Sequence, residues 1–369
     1  MGIQDKVIKW WVQNMYSPKI FNYSPGYILI VFNNQYGNAF QRLITLSEEI
    51  IENIETRFLE KFGDKGKDLL FESGRVYGSN FAYTAGAPVY DGANIEKISK
   101  YLQFSIKFGF YSWAQDFSIE EFVLKDDYLK ILGKYDNHVV CRHNGLGVLL
   151  TESIPLGVLE FVLQKSVKVT DSKCQGRGDK YCEIVYELGD AHDMGKQAFN
   201  DKNFGLYKKY NSIKQVTYTK NSWSDLLKNK VIKISDVGFE LHDNIIFTFE
   251  ISFVHQLEIE LNELDGGSDL LFDICFDWGK KFCENQSINF ISEMLAVFGY
   301  GDVLIKNSGE GYKVYLMHFP WSPNEEKNEK YSIVRGLVSG MLSGVSKKDI
   351  KLGAVKKIYE KEKFSITLE

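Results

Sequence analysis

The stretch Gly66-Lys67-Asp68-Leu69-Leu70-Phe71-Glu72 recurs as Gly267-Ser268-Asp269-Leu270-Leu271-Phe272-Asp273. The match runs on without a gap, Tyr77-Gly78 and Phe81 against Trp278-Gly279 and Phe282, at a constant offset of 201. Further on, Phe108-Gly109-Phe110 pairs with Phe298-Gly299-Tyr300, and the apolar segment 157–163 pairs with 336–342. Tyr181-Cys182-Glu183-Ile184-Val185-Tyr186-Glu187 is echoed at the end of the chain by Lys363-Phe364-Ser365-Ile366-Thr367-Leu368-Glu369. Order and rough spacing persist over about 120 residues, which marks a tandem duplication. Any fold for this chain must therefore be built twice.

Each copy reads the same way. Apolar periodicity predicts a helix over 66–82 and again over 267–283, then a second helix ending at the Phe-Gly-aromatic element. Two strands follow, 118–124 with 138–142 in the first copy and 301–305 with 312–318 in the second. A third helix comes next, about 154–166 or 330–343, and each copy closes on strands, around the cysteines or around 350–368. Upstream, residues 1–15 read as an amphipathic helix carrying Trp10 and Trp11, 27–32 as a strand and 47–62 as a helix. The polar stretch 189–222 reads as linker, and 231–259 carries strand-like runs. The expected class is α+β, two tandem repeats, each a helical layer packed on an antiparallel sheet. The expected domains are 1–190, an N-terminal extension plus the first copy, a linker 191–230, and a second copy 231–369.

Composition narrows the function. With 369 residues, 44% of them hydrophobic and only six prolines, the chain has ample material for two cores. A net charge of -5 leaves no surplus of Lys and Arg to neutralise phosphates, which excludes a nucleic-acid groove. No window approaches the roughly 20 apolar residues of a membrane span. Five cysteines, an odd number over a long chain, fit a reducing compartment, and the cytoplasm is expected. No phosphate-binding glycine loop, dinucleotide fingerprint, metalloprotease or hydrolase motif is present, so the chain is expected to act without catalysis.

One motif carries chemistry. Asp171-x-x-Cys174-x7-Cys182 sets two thiols and a carboxylate around a loop containing Gly176 and Gly178, beside the apolar run Glu183-Ile184-Val185-Tyr186. Thiolates suit zinc, a carboxylate can be a third ligand, and the glycines let the backbone fold back. Cys275 and Cys283 fall about two turns apart on a helix and read as core.

Helices followed by an Asp/Glu-x-x-Cys-x7-Cys element and an apolar strand resemble the 4-vinyl reductase domain family, over 66–187. That family shares its fold with the sensor domains of phenol- and toluene-responsive bacterial regulators and, more distantly, with TRAPP subunits. The resemblance implies a small hydrophobic or aromatic ligand held between helices and sheet, with a zinc ion supporting the pocket. It places Asp171, Cys174 and Cys182 as metal ligands. The family's upstream cysteine has no match near Val148, and Cys141, His143 or Glu152 stand nearby. In the second copy Phe364 replaces Cys182, so that copy is expected to lack the site.

Three functions follow as expectations. The first is a ligand-binding sensor or regulatory protein without its own DNA-binding module, its ligand contacted by Phe104, Phe108, Tyr111, Trp113 and Phe122 in an aromatic-dense segment. Such a protein would signal through a homo-oligomer or a partner protein. The second is a scaffold like the TRAPP-type subunits. The third, an enzyme of tetrapyrrole metabolism, is suggested only by the family's name.

Overall fold

The computed structural model describes residues 7, 21–34, 37–190, 201–309, 311–325 and 329–369. Apart from Val7, the expected N-terminal helix, with Trp10 and Trp11, falls outside them. Strands β1 (Phe21–Ser24), β2 (Tyr27–Asn34) and β3 (Gly37–Ser47) lead into helix α1 (Glu48–Thr84) and then α2 (Ile95–Trp113). There follow β4 (Ala114–Lys125), β5 (Tyr128–His138), α3 (Ile154–Leu163), β6 (Val167–Lys173) and β7 (Cys182–Leu188).

Helices α4 (Asp201–Asn211) and α5 (Trp223–Lys228) precede β8 (Ile232–Ser235), β9 (Gly238–Leu241), β10 (Asn244–Glu250), α6 (Ser252–Leu261) and α7 (Gly267–Phe282). The chain ends on α8 (Ile288–Val297), β11 (Asp302–Asn307), β12 (Tyr312–Met317), α9 (Ser332–Ser346), β13 (Val355–Glu360) and β14 (Lys363–Leu368). The α+β class and the helix-on-sheet layering expected from the sequence are present.

Three antiparallel sheets result. Two are four-stranded, ordered β4-β5-β7-β6 and β11-β12-β14-β13, and have the same topology in the two halves. The third, ordered β1-β2-β3-β10-β9-β8, takes three strands from each half. At its centre Thr45 of β3 faces Thr248 of β10, an offset of 203, and the flanking pairs are symmetric about that point. Leu43 opposes Glu250 and Ser47 opposes Ile246, each residue facing the counterpart of the other. The halves are thus joined about a pseudo-two-fold axis, the isologous geometry by which identical subunits pair.

The same offset carries into the helices. In α1, Ile50, Ile51, Ile54, Glu55 and Phe58 are buried at helical spacing, and Phe253, Val254, Leu257, Glu258 and Leu261 repeat the pattern in α6. The strands and helix upstream of the first copy are therefore half of the repeat unit, with β8–β10 and α6 as their counterparts. Gly63, at φ 58° and ψ -140°, breaks α1 where the other half has the turn between α6 and α7. Only glycine takes that conformation at little cost.

Tyr27 to Ile30 and Gln41 to Ser47 are buried without interruption. Since neighbouring residues on a strand point to opposite faces, the central sheet is covered on both sides. By contrast, β5 and β7 alternate buried and half-buried positions and cover one core with one face.

The glycines shared by the two copies explain the helix layer. A Cβ at Gly157 of α3 would lie 1.9 Å from the Arg75 carbonyl oxygen, and one at Gly336 of α9 would lie 2.3 Å from that of Phe272. Gly78 against Ile154 and Gly279 against Leu337 are equally tight, at 2.2 and 2.5 Å. Helix backbones touch at these crossings, so the positions accept no side chain.

Three local expectations are corrected. The expected strand 138–142 ends at His138, and Cys141–Asn144 is a single helical turn, because Val140 takes φ 63° and reverses the chain. The strand-like reading of 231–259 stops at Glu250; Phe253, Val254, Leu257 and Leu261 repeat with helical period. The expected linker contains α4 and α5, which are anchored by buried Tyr207 and Trp223.

Candidate metal centre

Two turns bring the thiols together. After β6 the chain loops through Gln175–Arg177 and returns at Cys182, the first residue of β7. Asp179 shapes the loop by accepting from the Cys174 backbone N–H at 2.8 Å. Gly176 then lies against the Cys141 turn, where a Cβ would sit 2.1 Å from the Cys141 carbonyl oxygen. Arg177 ties the two turns, donating to the carbonyls of Gly145 at 2.8 Å and Ser172 at 2.9 Å.

The Cys141 turn is strained. Val140, at φ 63° and ψ -68°, sits in a γ-turn closed by Cys141 N donating to Val139 O at 2.7 Å. A β-branched residue is rarely found there. Glu48 holds it, one carboxylate oxygen accepting from Val140 N at 2.7 Å while Arg142 pairs with the other at 2.6 Å. Strain maintained in this way is a mark of a functional position.

The result is a buried cluster of Cys141, Cys174 and Cys182, whose sulfurs lie within 4.8 Å of one another. The Cys174 and Cys182 sulfurs are 4.0 Å apart, and Gln175 N donates to Cys182 Sγ at 3.3 Å. Ligands on a tetrahedral zinc with 2.3 Å bonds stand about 3.8 Å apart. Spacing, donor type and the amide bond to sulfur all fit a zinc ion.

Hydrogen bonds from Cys141 and Cys182 draw Cys174 down, to about 2, with the Gly176 amide and Arg177 adding to the effect. Cys141 is raised by its bonds to the same two sulfurs and by burial. At Cys182 a lowering bond from Cys141 is outweighed by its bond to Cys174 and by burial, leaving it raised, at about 11. A divalent ion would convert all three to thiolates. His138, whose Nδ1 is 3.6 Å from Cys141 Sγ, is held neutral because burial lowers it to about 4.

Of the sequence-derived ligands, Cys174 and Cys182 come together. Asp171 lies outside the cluster, exposed on β6 opposite Val185 where the ladder is irregular. Cys141, one of the three residues standing near the family's upstream cysteine, takes the third place. Cys275 and Cys283 are fully buried core residues.

The aromatic residues are dispersed. Phe104 is exposed, Trp113 packs on the core shared by the central sheet, and Phe122 packs on the core of the β4–β7 sheet. The side chains of Phe108 and Tyr111 are outside the described residues. A recess of about 10 Å³ lies among Tyr90, Ile95, Leu124, Leu163 and Leu188. A second, open depression of about 830 Å³ is lined by Lys214, Glu360, Lys361, Glu362 and Lys363.

No protein-family model and no curated protein matches the chain. Among solved structures it has a distant likeness to the phenol-responsive sensory domain of the transcription activator PoxR, solved with phenol. Sequence identity is 11% and the TM-score 0.33, over 48% of this chain and 90% of that one. No helix among the described residues is long and apolar enough to cross a membrane.

Proposed function

We propose that the protein is a zinc-stabilised, small-molecule-binding regulatory protein whose first half holds the metal at Cys141, Cys174 and Cys182. The observation that carries this reading is the buried three-thiol cluster built by two turns. A metal there would fix the end of the β4–β7 sheet and, through Glu48 and Arg142, the start of α1. The ligand would be hydrophobic or aromatic and would enter between α2 and that sheet, beside Phe104, Phe108, Tyr111, Trp113 and Phe122. The recess between the start of α2 and the end of β4 is where the layers could part to admit it. Output would pass to a partner protein or a second copy.

The test uses the full chain purified without chelators. A mercurial that modifies the thiols should release one zinc per chain, and native mass spectrometry should show a retained organic ligand. Protein without zinc removes the metal from this reading. Bare polypeptide, with no shift in Tm on adding phenol or related aromatic compounds, removes the ligand.

A scaffold reading is favoured by one observation. The glycine crossings hold the helices in backbone contact in both halves, and the two depressions are either very small or lined by charge. Assembly surfaces rather than a pocket would then be the working part.

A further inference from the structure

The second half, expected from its sequence to lack metal ligands, contains a buried constellation of its own. His255 of α6 lies between Glu325 and Glu329, which precede α9, and the three side chains are essentially inaccessible to solvent. Their ligand atoms lie within 4.8 Å of one another. Glu258, one turn along α6, is buried beside them; one of its oxygens accepts from Ile333 N at 2.8 Å and caps α9.

We infer that the His255 imidazole, through Nε2, and Glu325 bind one divalent transition-metal ion, with Glu329 orienting the ring from its Nδ1 side, a site independent of the thiol cluster. The first ground is geometric. The Nδ1 of His255 is hydrogen-bonded to Glu329, which sets the tautomer and leaves Nε2 with its lone pair. Nε2 has no hydrogen-bond partner and is 3.7 Å from Glu325 Oε2, which has none either. That distance is too long for a hydrogen bond. It suits two ligands on one cation at about 2.0–2.2 Å each. A histidine that gives its other N–H to a carboxylate is the usual arrangement of a metal-bound imidazole.

The second ground is charge. Glu250, Glu258, Glu325 and Glu329 are buried in this region, and among the described residues Lys357 is 3.0 Å from Glu325. The free oxygen of Glu258 is buried without a partner. Burying so many carboxylates is costly unless they are neutralised. The first half resolves the same problem differently. Glu52 occupies the place of His255 there, and Arg142 enters from the following loop to pair with Glu48 at 2.6 Å. In the second half that loop supplies Glu325 and Glu329 instead. The donor set, an imidazole nitrogen and a carboxylate oxygen, suits Zn²⁺ or Mn²⁺ rather than a soft ion.

Zinc titration of the metal-stripped full chain, read by calorimetry and by elemental analysis after gel filtration, tests the site. His255→Gln and Glu325→Gln should each lose one equivalent, or bind it at least tenfold more weakly, whereas Cys182→Ser loses a different one. Failure of the thiol site alone leaves one equivalent that still disappears in His255→Gln. Should His255→Gln lose its fold, as judged by circular dichroism, the near-isosteric Glu325→Gln alone carries the test. Unchanged stoichiometry and affinity in both histidine-site variants, or wild-type protein that binds zinc only at its thiols, overturns the inference.

Discussion

Thr45 and Thr248 face each other at the centre of the ladder that joins the two halves. Thr45 also donates its backbone N–H to Phe298 O at 2.8 Å, a second tie between the halves. Proline at position 45 removes that bond inside a covered sheet and leaves a buried carbonyl unsatisfied. Thr45→Pro should cost at least about 1–3 kcal/mol. Urea unfolding followed by fluorescence checks it; an unchanged midpoint would show that the central sheet does not hold the halves together.

The helix crossings give a sharper contrast. Gly340→Ala places a Cβ 2.1 Å from the Phe276 carbonyl oxygen, so α7 and α9 must move apart. Overpacking of this kind costs about 1–3 kcal/mol. Gly205 lies on the exposed face of α4 with nothing within 4 Å of its Cβ position. Gly205→Ala should be stabilising by about 0.5–1 kcal/mol, since alanine is the better helix former. Thermal unfolding of the two variants should therefore shift in opposite directions.

Glu55 sets a pH dependence. Burial pushes its carboxyl up to about 7, although Leu149 N and the Asn144 side chain both donate to it, at 2.8 and 2.9 Å. The folded state thus holds a proton that the unfolded state has released, and stability falls as pH rises from about 4.5 to about 7. A shift of that size corresponds to about 3 kcal/mol as an upper limit. Glu55→Gln should flatten this part of the stability-pH curve relative to wild type, whatever its effect at a single pH. Parallel curves for the two proteins would assign the slope elsewhere.

All five cysteines are free and buried, so native protein should react slowly with a thiol reagent. Chelation should accelerate three of them, Cys141, Cys174 and Cys182, and leave Cys275 and Cys283 slow until unfolding. Burial raises both of the last two thiols, that of Cys283 to about 12, which makes them poor nucleophiles. Mass spectrometry of the alkylated protein would identify the fast group, and uniform rates at all five positions would count against the metal centre.

Arg42 is fully buried, stacks on Tyr27 at 4.1 Å, and donates to Gly299 O and His318 O, both at 3.0 Å. Arg42→Met should destabilise the chain by several kcal/mol, because it strands carbonyl groups from the other half of the molecule. Equal Tm values for variant and wild type would mean that water replaces the guanidinium without loss.

The sequence alone determined the duplication and the layered α+β class. Those are local or periodic properties: helical spacing and alternation. Cys174 and Cys182 were legible as partners because a short glycine loop limits how far apart they can be. Cys141 was legible only as one of three candidates beside His143 and Glu152, since its approach depends on a γ-turn at Val140 that Glu48 holds from a remote helix. Asp171 lies exposed and apart from the thiols, and spacing cannot tell which face of a strand a side chain takes at an irregular ladder. The tertiary structure alone decided that the halves share one sheet, and that His255 meets Glu325 and Glu329. Both depend on contacts between residues some 70 to 200 positions apart, and such long-range pairing leaves no period in the sequence.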